Sequence, residues 1–456
     1  MKKNKQKLSR LVSSPLIVGT FFLTASGIIS RILGFFYRIF LSRTIGAEAL
    51  GLYQLVYPIV SLMFAISAAG FQTAVSRYVA EAVGSSQLAA DGEKKAKRYL
   101  AAGMFYTILL SLLCGLILYF FSDRIAIYVL GDSRCGRLLT ILAYSMLPSG
   151  IHSCINGYYY GKKKALVPSV CQLAEQLARV GGVYLLYLIV TEKGQPLTAV
   201  HAAWGLVIGE LCGLLVCVSS LGLSPRKNDG AAQSGHGSDL PFPHALSQIG
   251  LMAIPLTANQ ALIHLCSSAE NILIPLRLQQ YGCSATEALE IYGVFSGMAI
   301  SVVFFPGVLT NSLSVLLLPS ISQAKAENKD NAIRRTVSLS IYGGLALGFL
   351  FTFLFLMTGD FIGNVIFGNA LAGELIKRLS WICPLMYVYS LLSGVLHGLG
   401  AAKQVFFINL LASGIRIGIL CFLVPLYGIS AILWGMLLSQ LFSALAAIFL
   451  VEQHLR

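Results

Sequence analysis

Charge is scarce in this chain. Only 11% of its 456 residues are Asp, Glu, Lys or Arg, where an ordinary globular protein carries about 25%. With 56% hydrophobic residues, that deficit excludes a conventional soluble domain. Alternating apolar segments of about 10 residues are also lacking, which excludes a membrane β-barrel. There is no glycine-rich loop ending in Gly-Lys-Ser or Gly-Lys-Thr, so hydrolysis of nucleotide by the chain itself is not expected, nor is any other enzyme signature present. No Cys-x-x-Cys pair and no His/Asp/Glu spacing suits a metal, and no metal or cofactor is expected. His152, His201, His264 and His397 are scattered and read as packing residues. The ten cysteines resemble a disulfide set only by number. Cys114, Cys154, Cys171, Cys212, Cys217, Cys266, Cys383 and Cys421 fall inside apolar blocks and read as small core residues. Cys135 and Cys283 fall in expected outer loops, where nothing requires them to pair.

What the chain has is long apolar blocks, each near the roughly 20 residues that cross hydrocarbon as a helix. Helices are the expected form because lipid offers the backbone no hydrogen bonds. The first half reads as spans at 16–40, 52–71, 99–121, 138–160, 166–190 and 199–221. The second half reads as spans at 249–276, 292–318, 336–358, 376–399, 405–424 and 429–451. The fold class is therefore an all-α polytopic membrane protein crossing about twelve times.

The net charge of +14 does not signal nucleic acid, because most Lys and Arg sit in short loops between apolar blocks. With the N-terminus inside, inner segments hold 21 of the 33 basic residues, outer segments 7, counting Lys377 and Arg378 at a span edge, and the spans 5, counting Arg277 with the seventh. This is the positive-inside pattern, and it sets both termini on the cytoplasmic side of the plasma membrane. Met1 to Arg10 carry five basic residues, and the apolar block after them contains Arg31 and no small-residue cleavage site. It reads as a retained first span, not a signal peptide.

Three regions are expected: an N-terminal six-helix bundle over 1–221, a cytoplasmic linker over 222–246 and a C-terminal six-helix bundle over 247–456. The linker lacks any apolar period and is rich in Gly and Ser. The halves resemble each other. Glu48-Ala49-Leu50 matches Glu287-Ala288-Leu289, and Asp123-Arg124-Ile125 matches Asp360-Phe361-Ile362. Pro148 matches Pro384, and Asn156-Gly157 before Lys162 matches His397-Gly398 before Lys403. The offsets stay between 236 and 241. Six is an even number of crossings, so the repeats run in the same sense, an arrangement that sets a substrate site between them.

Ionisable groups within spans carry the functional information, because they are costly there. Gly27, Arg31, Gly34 and Arg38 are spaced four, three and four apart and share one helical face. The glycines clear space and the arginines place on it a planar fork suited to phosphate oxygens. Arg38 lies near the outer end, where snorkelling also accounts for it. Glu270 and Arg277 share a face of the seventh span, which with Asn259, Gln260, His264 and Asn271 is the most polar one and is expected to line a cavity. A polar network between helices is the alternative. Glu175 and Arg179 stand at i and i+4 and read as an intrahelical ion pair. At offset 241, Arg416 aligns with Glu175 and suggests a pair across the repeat interface. Glu210 looks isolated. Tyr158 to Tyr160 read as an interfacial belt, and Lys162 to Lys164 as contacts to anionic membrane lipids.

Ser30-Arg31-Ile32-Leu33-Gly34-Phe35-Phe36-Tyr37-Arg38, continued by Arg43-Thr44-Ile45-Gly46, resembles the first-span signature of the polysaccharide-export and lipid-flippase branch of the multidrug/oligosaccharidyl-lipid/polysaccharide superfamily. Leu273-Ile274-Pro275-Leu276-Arg277-Leu278-Gln279 resembles the end of the seventh span in stage V sporulation protein B relatives. The resemblance implies two six-helix bundles forming a V around a cavity open to one side at a time. It implies export of an undecaprenyl-pyrophosphate-linked saccharide, such as a peptidoglycan precursor, with cationic residues lining the cavity. Arg31 matches the first-span arginine of that pattern. The related lipid II flippases tend to have Arg-Asp where this chain has Tyr37-Arg38. They also carry an arginine in the second span, where Met63 and Phe64 stand here.

The expected partners are a lipid-linked oligosaccharide, anionic lipids and cell-wall synthesis proteins. Two other functions fit the architecture: a cation-coupled multidrug exporter of the same superfamily, and a non-transporting scaffold for cell-wall synthesis. Exporters of organic cations need buried acids, whereas the first span here has two arginines and no acid.

Overall fold

A computed structural model describes residues 15–85, 89–222, 241–327 and 329–455, and among them no strand occurs. Helix α1 runs over Pro15–Phe64 and bends at Gly46, whose φ of 81° is one that glycine adopts without penalty. A π-type turn, Ala65–Ala69, joins it to α2, Gly70–Ser85. Then come α3 (Ala89–Phe120), α4 (Cys135–Gly161), α5 (Leu166–Glu192) and α6 (Ala199–Gly222). The second half contains α7 (Phe242–Tyr281), α8 (Ala285–Tyr292), α9 (Ile300–Phe304), α10 (Gly307–Ala326) and α11 (Asp330–Phe361), followed by α12 (Ala370–Leu379), α13 (Cys383–Gly398), α14 (Ala402–Phe422) and α15 (Ile429–Leu455).

Eleven helical segments among the described residues are long and apolar enough to cross a membrane. The first of them, Phe22–Gly84, has 63 residues, enough for two crossings at about 20 residues each. The chain is a multi-pass α-helical membrane protein. The expected break between the first two spans is present: Gly46, with φ 81° and ψ 172°, leaves the helical region and separates two helices within α1. One expected boundary changes. The expected span 292–318 begins earlier, at Ala285, and is interrupted at Phe305 and Pro306, where proline removes a backbone donor.

The repeat is visible in the backbone. π-type turns at Ala126–Leu130 and Ile362–Phe367 are each closed by a left-handed glycine, Gly131 (φ 74°) and Gly368 (φ 70°). α4 and α13, which carry the matched prolines, are each the central helix of their neighbourhood: α4 packs on α2, α3 and α6, and α13 on α10, α11 and α15.

Contacts divide the chain into two compact units, and the division does not fall at the expected linker. Unit 1 comprises Met1–Gly34 and Val56–Leu265; unit 2 comprises Phe35–Leu55 and Cys266–Arg456. The middle of α1, Phe35–Leu55, thus belongs with the second half of the chain, and the first part of α7 with the first half. Residues 223–240 of the expected linker lie outside the described residues, while its last residues already belong to α7, which starts at Phe242.

Small residues explain the packing inside each unit, since apolar side chains gain little by leaving lipid for a helix interface. In unit 1 a Cβ on Gly157 would lie 2.5 Å from the Gln72 carbonyl oxygen, and one on Gly70 would lie 2.8 Å from that of Ala253. α7 is further tied there by Tyr99, whose hydroxyl donates to Gln248 Oε1 at 2.6 Å. In unit 2, α1 crosses the π-type turn Gly293–Ala299 so closely that a Cβ on Gly293 would stand 2.0 Å from the Ala47 carbonyl oxygen. Gly348 likewise sits against the backbone of Pro384. The opposite faces are apolar and exposed. On α3, Ile108, Leu109, Leu112, Leu113 and Leu116 form a stripe that suits lipid tails.

Candidate functional site

Each unit holds a polar cluster within its helices. In unit 1 it is built from α4, α5 and α6. Arg179 Nη2 on α5 lies 2.7 Å from Glu175 Oε1 and 3.6 Å from Glu210 Oε1 on α6. Glu210 Oε2 lies 2.8 Å from His152 Nε2 on α4. Gly209 makes this possible: a Cβ there would stand 2.9 Å from the Glu175 carbonyl oxygen and 3.2 Å from Arg179 Cβ. The glycine lets α5 and α6 approach, and the adjacent Glu210 reaches the guanidinium. Cys217 Sγ extends the cluster to Asn156 Oδ1 at 3.4 Å. Ligand atoms of His152, Glu175 and Glu210 lie within 4.8 Å of one another, a donor set that suits a cation. The chain already supplies one, because the Arg179 guanidinium hydrogen-bonds to Glu175 and forms an ion pair with Glu210.

In unit 2 the cluster joins α7, α14 and α15. Arg416 holds Glu270 with both arms of its fork, Nε to Oε2 at 2.8 Å and Nη2 to Oε1 at 3.0 Å. It also donates to Ser413 Oγ at 2.9 Å and Ser439 Oγ at 3.2 Å. Beside the pair, Tyr292 donates to Asn271 Oδ1 at 3.0 Å. A cavity of about 120 Å3 opens there, lined by Glu270, Asn271, Arg416 and Met436 among others.

The residues singled out from sequence are not gathered in one place within either unit. Gly27, Arg31, Gly34 and Asn259 belong to unit 1; Arg38, Glu270 and Arg277 belong to unit 2. Arg31 is exposed and makes no hydrogen bond or ion pair among the described residues. Gly27 has open space where a Cβ would stand, and Gly34 faces Gln176 Nε2 on α5 at 3.4 Å. Arg38 bonds through Nη1 to Ser301 Oγ. Asn259 is exposed. Glu270 and Arg277 share a helix but not a partner. Arg277 Nη1 bonds to Gln280 Oε1 at 2.7 Å and lines an open concavity of about 430 Å3 with Leu273, Leu276, Gln279 and Gln280.

Two readings change. Glu210 is not isolated, since His152 and Arg179 both reach it. Arg416 takes Glu270 as its acid, and its match in the first half moves by one helical turn. Arg179-Val180-Gly181 aligns with Arg416-Ile417-Gly418 at offset 237. The left-handed residues Lys163 and Gly400, just after α4 and α13, keep the same offset. The unit 1 cluster brings together positions 152, 175, 179 and 210, which no local motif reports. The Gly209-x-x-x-Gly213 spacing beside Glu210 was the available signal. A second basic concavity in unit 1, about 560 Å3, is lined by Gln72, Ser76, Arg77, Tyr160 and Lys163. All ten cysteines are free.

Residues 16–325 match the family described as polysaccharide biosynthesis protein. The chain is 27% identical over 449 residues to stage V sporulation protein B of Bacillus subtilis, covering 95% of this chain and 84% of that protein. Among solved structures, it resembles the inward-facing conformation of a multidrug resistance MATE family transporter of the MOP superfamily, with TM-score 0.70, 12% identity and coverage of 94% and 95%. It also resembles a structure of the lipid II flippase MurJ in an inward closed conformation, with TM-score 0.68, 15% identity and coverage of 95% and 87%.

Proposed function

The chain belongs to the polysaccharide biosynthesis protein family, and from that premise we propose that it moves a saccharide linked through pyrophosphate to a lipid carrier from the inner to the outer leaflet. The observation that carries this reading is the state of the charges within the helices. Glu175, Glu210 and Glu270 are each held by Arg or His, whereas Arg31 is exposed and unpaired. An exporter of organic cations needs the reverse, an available acid. An anion that cannot cross hydrocarbon unaided needs available cations, and Arg31 offers a planar fork for phosphate oxygens. Arg77 and Lys163 add a second basic surface in the same unit. Both termini and the linker are cytoplasmic in this reading, and the membrane potential contributes about 2.3 kcal/mol per charge per 100 mV to the movement of the headgroup.

The test is transport by purified protein in liposomes, comparing fluorescent pyrophosphate-linked and uncharged lipid-linked sugars. The pyrophosphate-linked lipid is expected to be moved and the uncharged one not. Arg31→Ala is expected to abolish transport with folding intact, and Arg31→Lys to retain part of it, because charge remains while the fork is lost. Full transport by Arg31→Ala would remove Arg31 from the site. Transport of organic cations in place of lipid-linked sugars would favour the multidrug exporter.

A further inference from the structure

The crossing of α4 on α2 in unit 1 recurs as the crossing of α13 on α10 in unit 2. Cβ atoms on Gly157 and Gly161 of α4 would each lie 2.5 Å from a carbonyl oxygen of α2, those of Gln72 and Ser76. Cβ atoms on Gly394 and Gly398 of α13 would lie 2.5 and 2.8 Å from the carbonyl oxygens of Ser314 and Leu318 on α10. Only glycine allows backbones this close. These contacts set Gly157 against Gly394, one helical turn from the match made by sequence. The offset is 237 from α4 to α13 and 242 from α2 to α10, and each helix is continuous through the matched residues. Lys163 and Gly400, just past α4 and α13, are both left-handed and keep the offset of 237.

What differs is the chemistry laid over the crossing. In unit 1, Gln72, Ser76, Arg77, Tyr160 and Lys163 line the concavity of about 560 Å3. The corresponding positions of unit 2 hold Ser314, Leu318, Pro319, His397 and Gly400. The same backbone is therefore built in unit 2 without Arg or Lys at these places. Lys163 is the clearest case. Its φ is 58°, and it is the one non-glycine residue with positive φ among the described residues, whereas its counterpart Gly400 has φ 83°. Glycine adopts that conformation freely and lysine is strained in it, so a charge held there points to function. No acid lines the concavity. Neither Arg77 nor Lys163 forms an ion pair among the described residues; Arg77 Nη1 meets only Met252 Sδ, at 3.8 Å. Glu93 of α3, which reaches the end of α4, is already taken by Lys162 at 2.7 Å and Tyr158 at 2.6 Å. Ser153 donates to Gln72 Oε1 at 2.9 Å, which leaves the Gln72 amide nitrogen to donate elsewhere. In unit 2, by contrast, Lys325 of α10 is committed to the Leu399 carbonyl oxygen at 2.8 Å.

We propose that the concavity at the end of α4 is a second phosphate-binding site, to which Arg31 does not contribute, and that it receives the diphosphate of a lipid-linked saccharide before transport. The inference rests on the reading of the substrate as pyrophosphate-linked and adds the place where it is first held. Arg77 supplies a planar fork and Lys163 a compact point charge, and Gln72, Ser76 and Tyr160 supply neutral donors. A lipid diphosphate carries charge on each of its phosphates and so matches both cations, whereas a phosphodiester headgroup has one phosphate to share between them. The volume falls within the roughly 300–1,000 Å3 of small-molecule sites. In the orientation proposed above, α4 ends on the cytoplasmic side, at the leaflet where the passage starts.

The experiment measures binding of inorganic pyrophosphate to the purified full-length protein carrying Arg31→Ala, so that Arg31 plays no part. Saturable binding is expected to persist. Adding Arg77→Gln or Lys163→Gly is expected to weaken it by about threefold to fivefold, the scale of one exposed ion pair. Lys163→Gly keeps the left-handed backbone and removes its strain, so thermal stability is expected to hold or rise while affinity falls, which separates lost charge from lost structure. Lys94→Gln, which removes an exposed charge of α3 outside the lining, is expected to leave affinity unchanged. Inorganic phosphate and short-chain phosphatidylglycerol are expected to compete weakly. No binding in Arg31→Ala, unaltered affinity in Lys163→Gly, or an equal loss in Lys94→Gln would overturn the proposal. So would competition by phosphatidylglycerol as strong as that by pyrophosphate, which would assign the concavity to bulk acidic lipid. The functional reading beneath it fails on a different measurement: liposomes that transport the uncharged lipid-linked sugar as readily as the pyrophosphate-linked one.

Discussion

Removing Arg416 from unit 2 tests how much of the polar clusters is structural. Arg416→Ala deletes two hydrogen bonds to Glu270, at 2.8 and 3.0 Å, and those to Ser413 and Ser439. Breaking a buried pair from one side costs about 3–5 kcal/mol, because the other charge stays behind uncompensated. Glu270 keeps 16% of its side chain exposed, and the adjoining cavity of about 120 Å3 has room for water beside the stranded carboxylate. The cost therefore belongs at the lower end, about 3 kcal/mol. Glu270→Leu/Arg416→Met replaces both charges by apolar groups of comparable bulk, and is expected to lie within about 1 kcal/mol of the unaltered protein. The assay is denaturant unfolding in mixed micelles of the unaltered protein, Arg416→Met, Glu270→Leu and Glu270→Leu/Arg416→Met, read as a double-mutant cycle, with Arg416→Ala measured beside them. The cycle should give a coupling of at least about 2 kcal/mol. A cost below about 1 kcal/mol for Arg416→Ala, or single costs that simply add in the double variant, would refute the reasoning.

The other expectations are more local. Gly293→Ala should destabilise the protein by about 1–3 kcal/mol, because its Cβ meets the Ala47 carbonyl and no flexible group can yield; the same unfolding assay checks it. Gly27→Ala meets nothing within 4 Å, so its stability should hold or rise by up to about 1 kcal/mol, and a fall in transport in that variant would mark Gly27 as space kept for substrate. Arg179→Met should lower the yield of folded protein by leaving Glu175 and Glu210 facing each other; adding Glu175→Gln should restore part of it, and size-exclusion profiles report both. A cysteine introduced at Ser234 should be labelled by impermeant reagents only from the inner side, and outer labelling would invert the proposed topology.

The membrane class and the places of the crossings were legible in the sequence, because lipid imposes one requirement on every span: enough apolar residues in a row to hide a self-satisfied backbone. The repeat was legible for a related reason. Left-handed glycines are local necessities, and Gly131 with Gly368 recur where the backbone does the same thing twice. The isolated standing of Arg31 was suggested by its depth in a span that holds no acid. Partner choice was not legible. Glu210 meets Arg179 only because Gly209 lets two helices close to backbone distance, and Glu270 meets Arg416 across 146 residues of sequence. Which part of α1 or α7 belongs to which unit was hidden too, since a continuous helix gives no local sign of where its neighbours change. Sequence by itself determined what must be buried in lipid; tertiary structure alone decided which charges neutralise one another, because a pair 3 Å apart depends on how helices cross and not on how they are ordered along the chain.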